Sequence, residues 1–207
     1  MILLVRHGQT AANAAGLLLG RGDPPLTDLG RRQAAASAPA LAGVTRVVTS
    51  PLQRARETTG AFGLRVPVEV DDRWTELDYG DFEGRPFSDV PSETWRRWRQ
   101  DASYRPPGGE SLAALGRRVR EACEHLAHDG GNGDVAVVSH VSPIKAAIAW
   151  ALGVDDTVAW RMFLDVASIS RVAIGVHGPS LRTYNETHHL SSLNELSGGR
   201  PGAAASD

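Results

Sequence analysis

The chain has 207 residues, of which 42% are hydrophobic and 22% charged, enough for one compact domain with a sizeable core. A formal net charge of −2 excludes the strongly basic balance of a general polyanion binder, so no nucleic-acid partner is expected. A single cysteine, Cys123, cannot close an intramolecular disulfide, residues 1–5 are too short for a secretory core, and no stretch reaches membrane-span length; a soluble, cytoplasmic protein with no membrane partner is expected.

In chain order, "ILLV" reads as a strand buried on both faces, cut off abruptly by Arg6 and His7. A polar turn and a short helix from Thr10 follow. "PLTDLGRRQAAASAPALAG" reads as one helix, capped by Thr27 and stopped at Gly43. "VTRVV" is a second strand, "TSPLQRARETTGAF" a helix with Pro51 in its first turn, and "VPVEV" a short strand. Trp74 to Gly109 has no clear period and reads as an excursion over one end of the sheet. "ESLAALGRRVREACEHLAHD" is a long amphipathic helix closed by "GGNG", and "DVAVVSH" is another apolar strand. "PIKAAIAWALG" is helical to Gly153, and "ISRVAIGV" and "SLRTYNE" are late strands paired through "HGPS". Strands alternating with helices imply an α/β fold: a three-layer sandwich with a mostly parallel central sheet and helices on both faces. One domain over 1–193 and a disordered tail over 194–207 are expected, since the tail lacks core-forming residues.

In open α/β sheets, ligands bind beyond the carboxyl ends of strands. Three strands end in polar signals, at Arg6-His7, Thr49-Ser50 and Ser139-His140, and the helix after the second carries Arg54 in its opening turn. Were these ends neighbours, two arginines and two histidines would meet at one spot. Guanidinium forks match phosphate oxygens, and an imidazole there can attack phosphorus or stabilise charge.

"LLVRHGQT" followed by Asn13 resembles the signature of the histidine phosphatase superfamily, also called the phosphoglycerate mutase-like family. "GRGDPPLTDLGRRQA", "SPLQRARET", "ELDYGDFEG", "PPGGES" and "SHVSPIK" match in the expected order, and the likeness spans roughly residues 2 to 190. "SHVSPIK" and "FLDVASIS" are similar to α-ribazole phosphatase-like members. The resemblance implies that His7 becomes phosphohistidine, that Arg6 and Arg54 grip phosphoryl oxygens, that His140 donates to them and that Asn13 adds a contact. It implies Glu76 as the proton donor to the leaving group, although Asp78, Asp81 and Glu83 lie close by. Gln9, Thr10 and Gly22 either line the phosphate pocket or shape its loops. Val141 replaces the glycine that many members carry after the second histidine; its N–H can still reach phosphate while its side chain narrows the space.

No cofactor and no metal are expected: His125 and His128 read as a solvated helix face, and His188-His189 lack companions at ligand spacing. Trp95 and Trp98 read as packing, Arg96, Arg97 and Arg99 as a basic rim, Arg85 as solvated, and Cys123 as buried filler. The expected function is a metal-independent phosphomonoesterase acting on a small phosphorylated metabolite, with α-ribazole 5′-phosphate or a sugar phosphate as candidates. The alternatives are a cofactor-dependent phosphoglycerate mutase and a non-catalytic phospho-ligand binder. Late edge strands make a homodimer a further expectation.

Overall fold

The opening apolar run forms β1 (Ile2–Arg6), and its alternation places it at the centre of the molecule. In a computed structural model describing residues 1–129 and 133–196, Ile2 and Leu4 face one hydrophobic cluster while Leu3 and Val5 face another. All four are at most 3% exposed. Such a strand needs cover on both faces. β4 (Asp134–Ser139) repeats the pattern, with Val135 and Val137 on the first side and Ala136 and Val138 on the second.

The six strands lie in the order β3-β2-β4-β1-β5-β6, with β2 at Val44–Thr49, β3 at Val68–Val70, β5 at Ile169–Gly175 and β6 at Gly178–Glu186. β1, β2, β3 and β4 pair in parallel, whereas β5 adds to β1 and β6 to β5 antiparallel, so the sheet is mixed and mostly parallel. The registers Val5↔Val138 and Thr49↔Val138 bring the carboxyl ends of β1, β4 and β2 level. That alignment positions everything below.

Helices cover both faces. α2 (Asp28–Ala36) and α3 (Gln53–Ala61) pack together over one, and α5 (Leu112–His128) and α6 (Val141–Leu152) over the other. Thr27 caps α2 through Gly30 N, Ser111 caps α5 through Ala114 N, and Gly153 ends α6 at φ 65°. Buried Cys123 belongs to the α5–α6 core, as expected of filler, and burial pushes its thiol pKa up.

Several elements differ from expectation. The helix expected from Thr27 to Gly43 ends at Ala36 and continues as a 3-10 turn at Ala38–Leu41, because Pro39 cannot donate to the α ladder. Pro51 precedes α3 rather than lying in its first turn, which begins at Gln53. The excursion after Trp74 contains a regular helix, α4 (Ser92–Gln100), with a strongly one-sided pattern: Thr94 and Trp98 are buried and the intervening arginines exposed. Trp98 anchors a third cluster with Leu18, Phe82 and Val90, against which Trp95 and Trp160 pack, so the two tryptophans of α4 do pack. Part of the "GGNG" stop, residues 130–132, lies outside the described residues. A last helix, α7 (Ser191–Leu196), runs past the expected domain boundary at 193, and residues 197–207 lie outside the described residues.

Candidate active site

The level strand ends deliver the predicted groups to one place. His7 follows β1, its N–H donating to Ser139 O at 2.9 Å, and Ser50 N donates to Val138 O at 2.9 Å. The rings of His7 and His140 are 5.1 Å apart. His7 is 3% exposed, Glu76 3%, and Arg54 and His140 are fully buried.

His7 has a defined tautomer. Its Nδ1 lies 2.7 Å from Gly8 O, a pure acceptor, so Nδ1 carries the proton. Nε2 has no hydrogen-bond partner among the described residues and keeps its lone pair. Burial, then the positive charges of Arg54 and Arg6, hold the His7 pKa well below 6.5, so the ring is neutral near neutral pH. Gly8 is required at its position: a Cβ there would lie 2.3 Å from Gly30 O, where the loop after β1 meets α2. The Gly8 N–H donates to Thr58 Oγ1 at 3.1 Å, and Thr58 in turn donates to Arg54 O at 2.7 Å. One hydroxyl therefore ties the loop after His7 to α3.

Arg54 is held on three sides. Nε donates to His140 Nδ1 at 3.2 Å, and the terminal nitrogens donate to Gly22 O at 2.7 Å and Gly20 O at 2.8 Å. Asp23 stands 3.8 Å away. A guanidinium has five donors, so two N–H groups remain for a ligand. Gly20 and Gly22 are themselves fixed by Glu83, whose carboxylate accepts from the N–H groups of Gly20, Arg21 and Gly22. Gly22 thus acts through its carbonyl, by orienting Arg54.

Arg6 donates to Leu164 O, while its Nε is buried with no hydrogen-bond partner among the described residues. A buried, unpaired guanidinium donor is costly unless an anion completes it. Burial lowers the Arg6 pKa to about 10, still cationic at neutral pH.

His140 accepts from Arg54 at Nδ1, so its proton sits on Nε2, 2.7 Å from Ser50 Oγ. Burial and the charge of Arg54 keep its pKa well below 6.5. The donor that the resemblance implies is therefore present as Nε2–H, but it is engaged with Ser50, and an anion would have to replace that hydroxyl.

Glu76 is distinguished from its acidic neighbours by position. Its Oε1 accepts from Leu77 N at 2.7 Å and from Ser142 N at 3.2 Å, at the start of α6 where a carboxylate suits the helix dipole. Asp78 instead caps a turn through Gly80 N, and Glu83 holds the Gly20–Gly22 loop. Arg118 of α5 clamps the Glu76 segment by donating to the carbonyls of Arg73, Thr75 and Glu76 while paired with Glu110 at 2.9 Å.

The remaining predicted residues divide. Thr10 is fully buried and caps α1 (Ala11–Ala14), its hydroxyl and N–H both meeting Asn13 Oδ1. That leaves the Asn13 amide N–H groups for a ligand. Gln9 is tied to α2, its Oε1 accepting from Thr27 and its N–H donating to Gln33, so it shapes the loop. Val141 is half-buried as the first residue of α6, next to His140. Thr58 and Arg118 carry no signal in the sequence, while Ser50 stands out there only as a polar residue at a strand end and Glu83 only as an acid close to Glu76.

Comparison with known proteins fits this geometry. Residues 2–187 match the family model of the histidine phosphatase superfamily (branch 1). The chain is 42% identical over 198 residues to the bifunctional protein Rv2228c of Mycobacterium tuberculosis, covering 91% of this chain and 54% of that protein. It therefore spans about half the length of that relative. GpmB of Yersinia enterocolitica, a probable phosphoglycerate mutase, is 35% identical over 212 residues, covering 94% of this chain and 98% of that one. Phosphoserine phosphatase of Entamoeba histolytica, solved with 3-phosphoglyceric acid, superposes with a TM-score of 0.84 at 26% identity, covering 91% of this chain and 98% of that one. The α-ribazole phosphatase of Shigella flexneri gives a TM-score of 0.79 at 27% identity, covering 89% and 96%. With Arg6, His7, Arg54, Glu76 and His140 gathered at one end of the sheet, the chain belongs to the histidine phosphatase superfamily (branch 1).

Proposed function

We propose that this chain hydrolyses a small phosphorylated metabolite, without a metal ion or cofactor, through phosphohistidine formed on His7. The observation that carries this reading is the His7 Nδ1–Gly8 O hydrogen bond, which leaves a neutral Nε2 lone pair among buried arginines. In the first step Nε2 attacks phosphorus and the P–O bond to the alcohol breaks. Glu76, as the carboxylic acid, protonates the departing oxygen. The unpaired Arg6 Nε, the two spare Arg54 N–H groups and the Asn13 amide meet the equatorial oxygens, and His140 joins them by exchanging Ser50 for the anion. The positive charge on the phosphorylated ring is stabilised by the Nδ1–H held on Gly8 O. In the second step the Glu76 carboxylate takes a proton from water, which attacks phosphorus and releases inorganic phosphate and His7.

The substrate reading includes α-ribazole 5′-phosphate, sugar phosphates and phosphoglycerates, all monoesters of one form. Resemblance to GpmB supports a second reading, in which the phosphoryl group returns to a bound phosphoglycerate rather than to water. The test is turnover of a phosphomonoester panel, including 3-phosphoglycerate with and without its bisphosphate, by wild-type and His7→Ala proteins with a chelator present. The reading predicts phosphate release by the wild type, undiminished by the chelator, and none by folded His7→Ala. Full activity in His7→Ala would overturn it, and isomer formation outrunning phosphate release would favour the mutase.

A further inference from the structure

Lys145 is the only lysine among the 22 Lys and Arg residues of the chain. It lies on α6 one turn after Val141, on the face that begins beside His140, and is half-buried. Among the described residues, no hydrogen bond or ion pair reaches its ammonium. Lys145 follows Ser142 by three residues on α6, on the same side of the helix, and the Ser142 N–H donates to Glu76 Oε1 at 3.2 Å, so its stem leaves the helix next to the turn that holds Glu76. Burial lowers its pKa to about 8, so it remains mostly cationic near neutral pH.

A half-buried ammonium without a partner is unfavourable, and an arriving anion would offset that cost. The phosphoryl oxygens already have Arg6, Arg54 and Asn13. Lys145 follows the α6 turn whose Ser142 N–H holds Glu76, the group proposed to meet the departing oxygen, and a helical side chain leans back over the preceding turn, toward the alcohol. We propose that Lys145 is a specificity-determining residue that pairs with a carboxylate carried by the alcohol portion of the substrate. The inference rests on the phosphatase reading above and narrows its substrate class to phosphomonoesters of hydroxy acids, ahead of neutral alcohols such as α-ribazole.

The test compares kcat/KM for 3-phosphoglycerate with that for glycerol 3-phosphate, which lacks the carboxylate. In Lys145→Met the ratio of the two should fall on the order of tenfold to a hundredfold, mostly through KM for 3-phosphoglycerate, and Lys145→Arg should restore part of it. An equal fall with both esters would overturn the inference while leaving the phosphatase reading intact. A second measurement is independent of turnover. Because the chain has one lysine, reductive methylation followed by peptide mass spectrometry reads this ammonium alone among side chains. In His7→Ala protein, saturating 3-phosphoglycerate should slow methylation of Lys145 several-fold more than saturating glycerol 3-phosphate, and equal protection by the two would overturn the assignment.

Discussion

Replacing Glu83 by alanine removes the acceptor that holds the loop behind Arg54. The carboxylate receives Gly20 N at 2.9 and 3.0 Å, Gly22 N at 3.1 Å and Arg21 N at 3.2 Å. The carbonyls of Gly20 and Gly22 in turn hold the terminal nitrogens of Arg54. A hydrogen bond to a charged group contributes roughly 1.5–3 kcal/mol, but Glu83 is only half-buried and water can replace part of what is lost. A net loss of about 2 kcal/mol follows for Glu83→Ala, which lowers Tm by roughly 4–8 °C in a chain of this size. The loop's displacement also moves Arg54, and misplacing such a group by about 1 Å costs on the order of a hundredfold in rate. We therefore expect kcat/KM for a phosphomonoester to fall between about tenfold and a hundredfold, with weaker competitive inhibition by inorganic phosphate. Glu83→Gln keeps one acceptor oxygen but turns an NH2 toward N–H donors, so it should lie between wild type and Glu83→Ala. Steady-state kinetics with circular dichroism as the folding control decides it. Wild-type kcat/KM and phosphate affinity in folded Glu83→Ala would refute the claim that this loop positions Arg54.

Thr58→Val should orphan the Gly8 N–H and release the α3 tie, lowering stability by about 1–3 kcal/mol in urea unfolding and reducing kcat more than KM; an unchanged midpoint and kcat would contradict it. The depressed pKa values of His7 and His140 predict a pH effect of defined sign. Below about pH 6.5 the unfolded histidines bind protons that the folded ones refuse, so stability is complete above that pH and declines beneath it, by about 1.4 kcal/mol per pH unit for each histidine until the folded pKa is reached. Urea unfolding between pH 7.5 and 5.5 should show a slope that becomes shallower in His7→Gln, and parallel slopes would count against the burial argument. The acid limb of kcat/KM should likewise not rise above pH 6.5 on account of His7, and a limb centred at 7 that vanishes with a His7 variant would contradict the downward shift that burial imposes.

The fold was legible where periodicity was strong. "ILLV", "VTRVV" and "DVAVV" declared themselves because both faces of each strand are covered, and the charged or polar residue ending each run marked the pocket. The helix stop at Pro39 is hidden in the sequence because the run of alanines around it keeps helical composition while proline removes the donor. α4 is not legible in the sequence because a single buried face of Thr94 and Trp98 among arginines looks like an exposed basic segment. At the site, His7, Arg6, Arg54, Glu76 and His140 follow motifs whose spacing is local. Their supports do not: Thr58 lies 50 residues from Gly8, Glu83 lies 63 from Gly20, and Arg118 lies 42 from Glu76. Such partners become visible only when the sheet has aligned its strand ends. Gln9 and Thr10 lie in the opening motif, yet their side chains brace the loop.

The most direct test of the phosphohistidine account is rapid-quench trapping during turnover of a 32P-labelled phosphomonoester, with the label mapped by peptide and by ring nitrogen. The tautomer fixed by Gly8 O predicts an acid-labile, base-stable label on Nε2 of His7, formed and lost at rates that support kcat. Label on another residue, on Nδ1, or absent while phosphate is released would contradict it.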